Sequence, residues 1–218
     1  MPSDCEAVES IHFETGFIGN SMSALLTDNN VWKSRIDYYL DKQADTVFVL
    51  EDEVVVGYLA GSLDDHMPRF SVFFQTLVEI AKGFPLSKKD RAFWLGQVGV
   101  MARAALGISK ERYFNIPRHA GHLHINLLPK YRDQKWGSKM LAEFEGYAAS
   151  KGVRIIHADT FQTRLNPTAN FWLKNGFKEY SRVNTSYWQK QLPTERIDLV
   201  CYVKELPHSK LRDDPKAT

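Results

Sequence analysis

The chain has 218 residues, 44% of them hydrophobic, which is enough to bury a full core as one domain. Its 28 lysines and arginines nearly balance its 26 aspartates and glutamates, whereas a nucleic-acid-binding protein would carry a marked basic excess. Its two cysteines are too few for a disulfide framework, and no run of residues is apolar enough to cross a membrane. We therefore expect a soluble cytoplasmic protein with no nucleic-acid or membrane partner.

The apolar pattern predicts a single domain over residues 1–207, followed by a disordered tail over 208–218. The first half is predicted to contain a strand and a helix over 11–26, a helix over 31–40 capped by Asn30, and a β-hairpin of 46–50 with 54–63. The second half is predicted to contain strands at 121–128 and 153–161, helices at 138–150 and 167–175, and a final strand pair of 186–191 with 197–204. Helices that alternate only partly with strands favour an α/β fold with a mixed sheet.

Residues 66–120 are predicted to be a helical insertion between these two halves. Their apolar residues have helical spacing, interrupted by Gly83, Pro85, Gly107 and Pro117. The segment is far longer than an ordinary loop, and it is too apolar to be disordered. We predict two or three helices that pack over the strand that follows them. The alternative is an elaboration packed elsewhere or a dimer surface, so a homodimer stays open.

The loop between the strand at 121–128 and the next helix carries the clearest chemical signal. A loop that leads into a helix N-terminus exposes unpaired backbone N–H groups at the positive end of the helix dipole, which favours an anion such as pyrophosphate. Arg132 and Lys135 can add positive charge, and Gly137 allows close approach of the backbone. An ordinary strand–loop–helix junction with solvated charges would show the same local pattern.

Two blocks of sequence resemble the GNAT acetyltransferases. Pro129, Arg132 and Gly137 match motif A, an Arg or Gln followed by two residues, Gly, one residue, and Gly or Ala, although Lys135 stands in place of the first glycine. Residues 166–177 resemble motif B, in which Asn-x-x-Ala starts a helix that carries an aromatic pair and ends at Gly-Phe. The resemblance implies a GNAT acyl-CoA N-acyltransferase fold with the insertion before the fourth strand, acetyl-CoA as co-substrate, and no metal. The cofactor-binding residues it implies are Leu127, Leu128, Arg132, Asp133, Gln134, Lys135, Trp136, Gly137, Ser138, Asn166 and Trp172.

His122, His124 and Asn126 alternate along the predicted strand and therefore share one of its faces. An amine must lose a proton before it can attack a thioester, and two adjacent imidazoles can relay that proton. Buried structural histidines are the alternative. The histidine pair resembles that of the arylalkylamine acetyltransferases, where it serves the proton path. The run from His122 to Pro129 is similar to acetyltransferase-like domains attached to O-GlcNAc hydrolases and to fungal relatives, which usually carry Asp at the position of Asn126. We assign all three residues to the catalytic site.

The predicted function is acetyl transfer from acetyl-CoA to a primary amine of a small molecule. An acetyl-CoA-binding pseudo-acetyltransferase with a regulatory or scaffolding role is the main alternative, and acetylation of protein amines is a third. GNAT enzymes often use a tyrosine to protonate the thiolate, and Trp172 stands nearest that position here, so Tyr180, Tyr187 or a water would have to serve. His157 and Asp159 share a face of the next strand and are secondary candidates.

Overall fold

The structure is a computed structural model that describes residues 2–63, 77–78, 80–81, 87–166 and 168–207. The predicted tail and the first part of the predicted insertion lie outside these ranges. The α-helices are α1 (Pro2–Thr15), α2 (Ser34–Lys42), α3 (Lys88–Ala105), α4 (Trp136–Ser150) and α5 (Ala169–Lys174). The strands are β1 (Val47–Asp52), β2 (Val54–Ser62), β3 (Gly121–Leu127), β4 (Ile155–Gln162), β5 (Lys178–Asn184) and β6 (Asp198–Glu205). No helix of the described ranges is long and apolar enough to cross a bilayer.

The strands form one mixed sheet in the order β1-β2-β3-β4-β6-β5, which confirms the predicted α/β class. Among the described strands, only β3 and β4 are parallel to one another, and α4 makes the crossover between them. The predicted hairpin is present as β1 and β2, whose connection passes through Glu53 at φ 61°. The other pairs, β2–β3, β4–β6 and β5–β6, are antiparallel.

Alternation along β3 divides its side chains between two layers. Leu123 faces a core made with α4 and α5, together with Leu141 and Phe144. His122, His124 and Asn126 lie on the opposite face, beneath α1 and α2. A second cluster on that face includes Ile11 of α1, Ile36 and Tyr39 of α2, and Tyr58 of β2.

Two of the predicted strands were wrong. Residues 11–15 end α1 rather than forming a strand, because Val8, Ile11 and Thr15 recur at helical spacing and are all buried. The strand after the insertion, β3, is therefore the third of the described strands and not the fourth, as predicted. Residues 186–191 form turns instead of a strand, with Trp188 buried, and β6 pairs with β4 and β5.

The end of α5 shows why the Gly-Phe pair follows this helix. Gly176 has φ 83°; its N–H donates to Leu173 O, and the N–H of Phe177 donates to Trp172 O. This is a Schellman motif, and the rings of Phe177 and Trp172 pack 5.1 Å apart across it. At the other end, Thr168 rather than Asn166 occupies the N-cap position, and Pro167 lies outside the described residues.

The described part of the insertion packs against the segment before α2. Asp90 of α3 accepts hydrogen bonds from the backbone N–H of Thr27 (2.8 Å) and from its hydroxyl. The indole of Trp94 lies 6.3 Å from that of Trp32, and the ring of Phe93 lies 6.0 Å from that of Trp188. At least one helix of the insertion, α3, therefore packs on the α1–α2 side of the sheet.

Candidate functional site

A cleft opens where β3 and β4 separate. The two strands pair only at Gly121 with Ile156 and at His122 with His157, although each continues for several residues. On its other edge, β3 stays paired with β2 as far as Leu127. The edge of β3 that faces β4 therefore carries backbone groups without a strand partner in the described chain, and an extended ligand could satisfy them.

The loop after β3 places the N-terminus of α4 beside this cleft. No side chain caps α4, and the hydrogen bond from Lys139 N to Lys135 O begins its ladder. The backbone N–H groups of Trp136, Gly137 and Ser138 therefore lie ahead of the ladder, as an anion site requires. Lys135 has φ 65°, in the left-handed region. This conformation explains physically why the motif carries glycine there, and the chain tolerates a lysine at a conformational cost.

Three of the residues predicted to contact the cofactor also have structural roles. Arg132 donates from Nε to Leu127 O (3.0 Å) and from a terminal nitrogen to Gly19 O (2.7 Å), so its guanidinium braces the loop. A β-carbon on Gly137 would lie 3.1 Å from the ring of Phe171, so this glycine lets α5 approach α4. Trp172 is buried in the core, stacked on Tyr202.

The other predicted cofactor contacts surround the loop. Asp133, Gln134 and Lys135 are exposed, Trp136 and Ser138 are half-buried, and Gln134 donates to Lys130 O (2.7 Å). Gln134 and Trp136 also line a groove of about 230 Å³ whose far wall contains Glu51 and Asp52. Those two carboxylates make the groove a poor site for a phosphate. Leu127 and Leu128 are half-buried at the end of β3, and Asn166 approaches the same Gly19 that Arg132 binds.

The histidines of β3 lie against one another where the two strands begin to part. The rings of His122 and His124 are 4.6 Å apart, and those of His122 and His157 are 4.7 Å apart. The hydroxyl of Tyr39 lies 2.7 Å from Nδ1 of His122. The structure thus brings together the two predicted proton carriers and the secondary candidate His157, with His122 and His157 buried and His124 half-buried.

The pKa of His124 is lowered to about 4, mainly because the ring is buried. Asp159 raises this pKa, and His157 and Arg35 lower it. At neutral pH this imidazole is therefore uncharged and has a lone pair available to accept a proton. The same surroundings disfavour the imidazolium, so His124 is suited to pass a proton on rather than to keep it.

Asn126 belongs to a hydrogen-bonded chain that the sequence did not reveal. Its Nδ2 donates to the hydroxyl of Tyr58 (2.7 Å), which lies 2.8 Å from Nδ1 of His12. His12 is buried, its Nε2 has no hydrogen-bond partner, and burial is the first cause that lowers its pKa to about 3. Tyr58 lies in the predicted strand 54–63, but only the pairing of β2 with β3 puts it directly opposite Asn126. His12 and Tyr39 come from helices whose docking no local pattern reveals.

A cationic side chain among aromatic rings borders the face of β3 that carries His122, His124 and Asn126, which we call the histidine face. The guanidinium of Arg35 lies 4.6 Å from the ring centre of Trp32 and 5.9 Å from that of Trp94, and it donates to the hydroxyl of Tyr187 (2.8 Å). Its Nε is buried without a partner, and no carboxylate of the described residues pairs with it. Tyr187 is thus engaged with Arg35, while Tyr180 is exposed on β5. Neither tyrosine is thereby identified as the general acid that would protonate the thiolate.

Comparisons with known proteins agree with this geometry. The model of the acetyltransferase (GNAT) family matches residues 18–177. The crystal structure of SsHAT is 22% identical, with a TM-score of 0.63 over 94% of this chain and 95% of that one. The ribosomal-protein-alanine N-acetyltransferase of Brucella melitensis is 16% identical, with a TM-score of 0.54 over 94% and 96%. Salmonella typhimurium yncA, solved with its cofactor acetyl-CoA, is 15% identical, with a TM-score of 0.53 over 100% and 95%.

No curated protein sequence matches the chain. The solved structures share its fold at low identity, and the family model covers well over half of its length. The separated strands, the loop before α4 and the Gly-Phe end of α5 all lie within or at the edge of the matched range. The chain belongs to the acetyltransferase (GNAT) family.

Proposed function

We propose that this protein transfers the acetyl group of acetyl-CoA to a primary amine of a small molecule. The observation that carries the proposal is that three features of the site belong to one short stretch of the chain. The edge of β3 that β4 leaves unpaired, the uncapped N-terminus of α4 and the histidine face of β3 all lie within the span from His122 to Ser138.

The residues present fit acetyl-CoA. The N–H groups at the start of α4 suit a pyrophosphate, and Lys135, exposed in the same loop, adds a positive charge. The unpaired edge of β3 suits an extended chain that carries amide groups. When bound, acetyl-CoA supplies a thioester carbonyl that an amine can attack.

The proton path is assigned to His122 and His124. An acceptor amine is mostly protonated at neutral pH, and it must lose a proton before its lone pair can attack. His124 is neutral at that pH, and the ring of His122, 4.6 Å away, offers the next position for the proton. Tyr39 fixes the orientation of His122 through their 2.7 Å contact.

The surroundings of this path favour a small acceptor over a protein. His122 is buried beneath α1 and α2, and α3 of the insertion closes the neighbouring aromatic cluster through Trp94 and Trp32. A folded protein surface could not reach that depth, whereas a narrow amine could. The predicted kinship with the domains attached to O-GlcNAc hydrolases and the cytoplasmic location stay predictions.

Replacing Ser138 by Glu tests the cofactor assignment. Ser138 is half-buried in the first turn of α4, where a carboxylate is favourable for the helix dipole but would repel a pyrophosphate. Ser138→Glu should lower the affinity for acetyl-CoA at least tenfold in calorimetry and leave the unfolding temperature unchanged or higher. Ala142→Glu is the matched control, since it adds the same charge on the exposed side of α4, one turn further on.

Equal affinity in the two variants would contradict the assignment of the loop. If Ser138→Glu loses the cofactor but the unmodified protein acetylates none of a broad panel of primary amines, the pseudo-acetyltransferase alternative is correct instead. The position of Trp172 favours that alternative, because an indole in the core cannot protonate a thiolate.

A further inference from the structure

Four potential metal ligands lie on one face of three neighbouring strands. His122 on β3 pairs directly with His157 on β4, and Asp159 on β4 pairs directly with Cys201 on β6. Because side chains alternate along a strand, His157 and Asp159 share a face, and their cross-strand partners share it with them. Two imidazoles, a carboxylate and a thiol thus form a row beneath α2.

The distances within this row resemble those between ligands of a common ion. Nδ1 of His157 lies 3.4 Å from Oδ1 of Asp159 and 3.9 Å from Sγ of Cys201. Zinc bonds of about 2.1 Å to nitrogen or oxygen and about 2.3 Å to sulfur place tetrahedral ligands roughly 3.4–3.6 Å apart. Ligand atoms of His122, His157 and Asp159 all lie within 4.8 Å of one another, so small side-chain rotations would complete the set.

The same ring nitrogen of His157 faces both Asp159 and Cys201. In a nucleophile–base–carboxylate triad, the two neighbours would contact opposite nitrogens of the imidazole. The arrangement therefore does not activate the thiol for catalysis. It does let one cation lie between a nitrogen, an oxygen and a sulfur atom.

We propose that His122, His157, Asp159 and Cys201 bind a single Zn²⁺ ion. His122, His157 and Cys201 are buried, and Asp159 is half-buried, so an ion here would be shielded from competing water. Tyr39, bonded to one ring nitrogen of His122, is the kind of outer partner that holds a metal-binding imidazole in place. The bound ion takes the lone pair of His122 and thereby stops acetyl transfer.

Zinc affinity can be measured on the full chain without acetyl-CoA. Protein treated with EDTA and then dialysed should take one Zn²⁺ from a chromophoric chelator, and its unfolding temperature should rise. Co²⁺ in place of Zn²⁺ should give the visible spectrum of a tetrahedral site and a thiolate charge-transfer band. Cys201→Ser should abolish that band. Asp159→Asn should weaken zinc binding at least tenfold, and circular dichroism should show that both variants keep their fold.

Cys5→Ser and His119→Ala are the matched controls, because both residues lie outside the row, and they should bind zinc normally. The proposal fails if EDTA-treated protein takes no zinc, or if Asp159→Asn and Cys201→Ser bind it as tightly as the controls do. Inhibition by zinc rests on the proposed proton path, whereas binding does not. Ser138→Glu should therefore bind zinc with unchanged affinity even if it no longer binds acetyl-CoA.

Discussion

Replacing Lys135 by Gly should stabilise the protein, although it removes a side chain and a charge. Lys135 has φ 65°, a conformation that costs a residue with a β-carbon roughly 1–2 kcal/mol. Glycine avoids this cost, but it loses roughly 0.5–1 kcal/mol through the greater freedom of the unfolded chain. The difference predicts a gain of about 0.5–1 kcal/mol in the free energy of unfolding. For a chain of this length, that gain raises the unfolding temperature by about 1–4 °C.

Urea denaturation and thermal unfolding measure this effect, and two controls isolate its cause. Lys135→Ala removes the same charge but keeps the strained backbone, so it should give no comparable gain. Lys130→Gly removes a charge from the same exposed loop at a position without positive φ, and it should lose about 0.5–1 kcal/mol. The reasoning is refuted if Lys135→Gly is no more stable than Lys135→Ala.

Two further predictions concern the histidine face. The pKa of His12, lowered to about 3 by burial and then by His124 and Arg35, means that folding favours the neutral ring next to Tyr58. The contribution of His12 to the free energy of unfolding is therefore fully present above pH 6.5 and declines as the pH falls towards 3, with a loss of about 2 kcal/mol at pH 5 from His12 alone. Urea denaturation of His12→Gln should show a shallower dependence of stability on pH. An unchanged pH dependence would contradict the assignment. His124→Ala should lower kcat/KM for an amine at least tenfold with little change in KM for acetyl-CoA. Replacing the exposed His119 by Ala should leave both quantities unchanged. Equal rates in the two variants would make His124 a structural residue.

The sequence predicted the parts of the site that depend on local pattern. The run from His122 through the loop to α4 follows the predicted order, because its alternation and its glycine are features of neighbouring residues. The positions of Tyr39 and His12 could not be predicted in the same way, since both belong to helices that are far from β3 in the sequence. Arg132 shows a different limit, because its charge suggested a phosphate contact, and only the tertiary fold brings Gly19 O within its reach.

The arrangement of β3 explains how one strand can contribute both to the core and to the candidate site. Its odd residues face α4, where Gly61 on β2 leaves room for Phe144, since a β-carbon there would lie 2.2 Å from the ring. Its even residues face α1 and α2, and His122 and His124 are among them. A slip of one residue would exchange these two faces and bury the histidines against α4. The close fit of Phe144 against Gly61 therefore fixes the register of the sheet, and with it the side on which the proposed proton path lies.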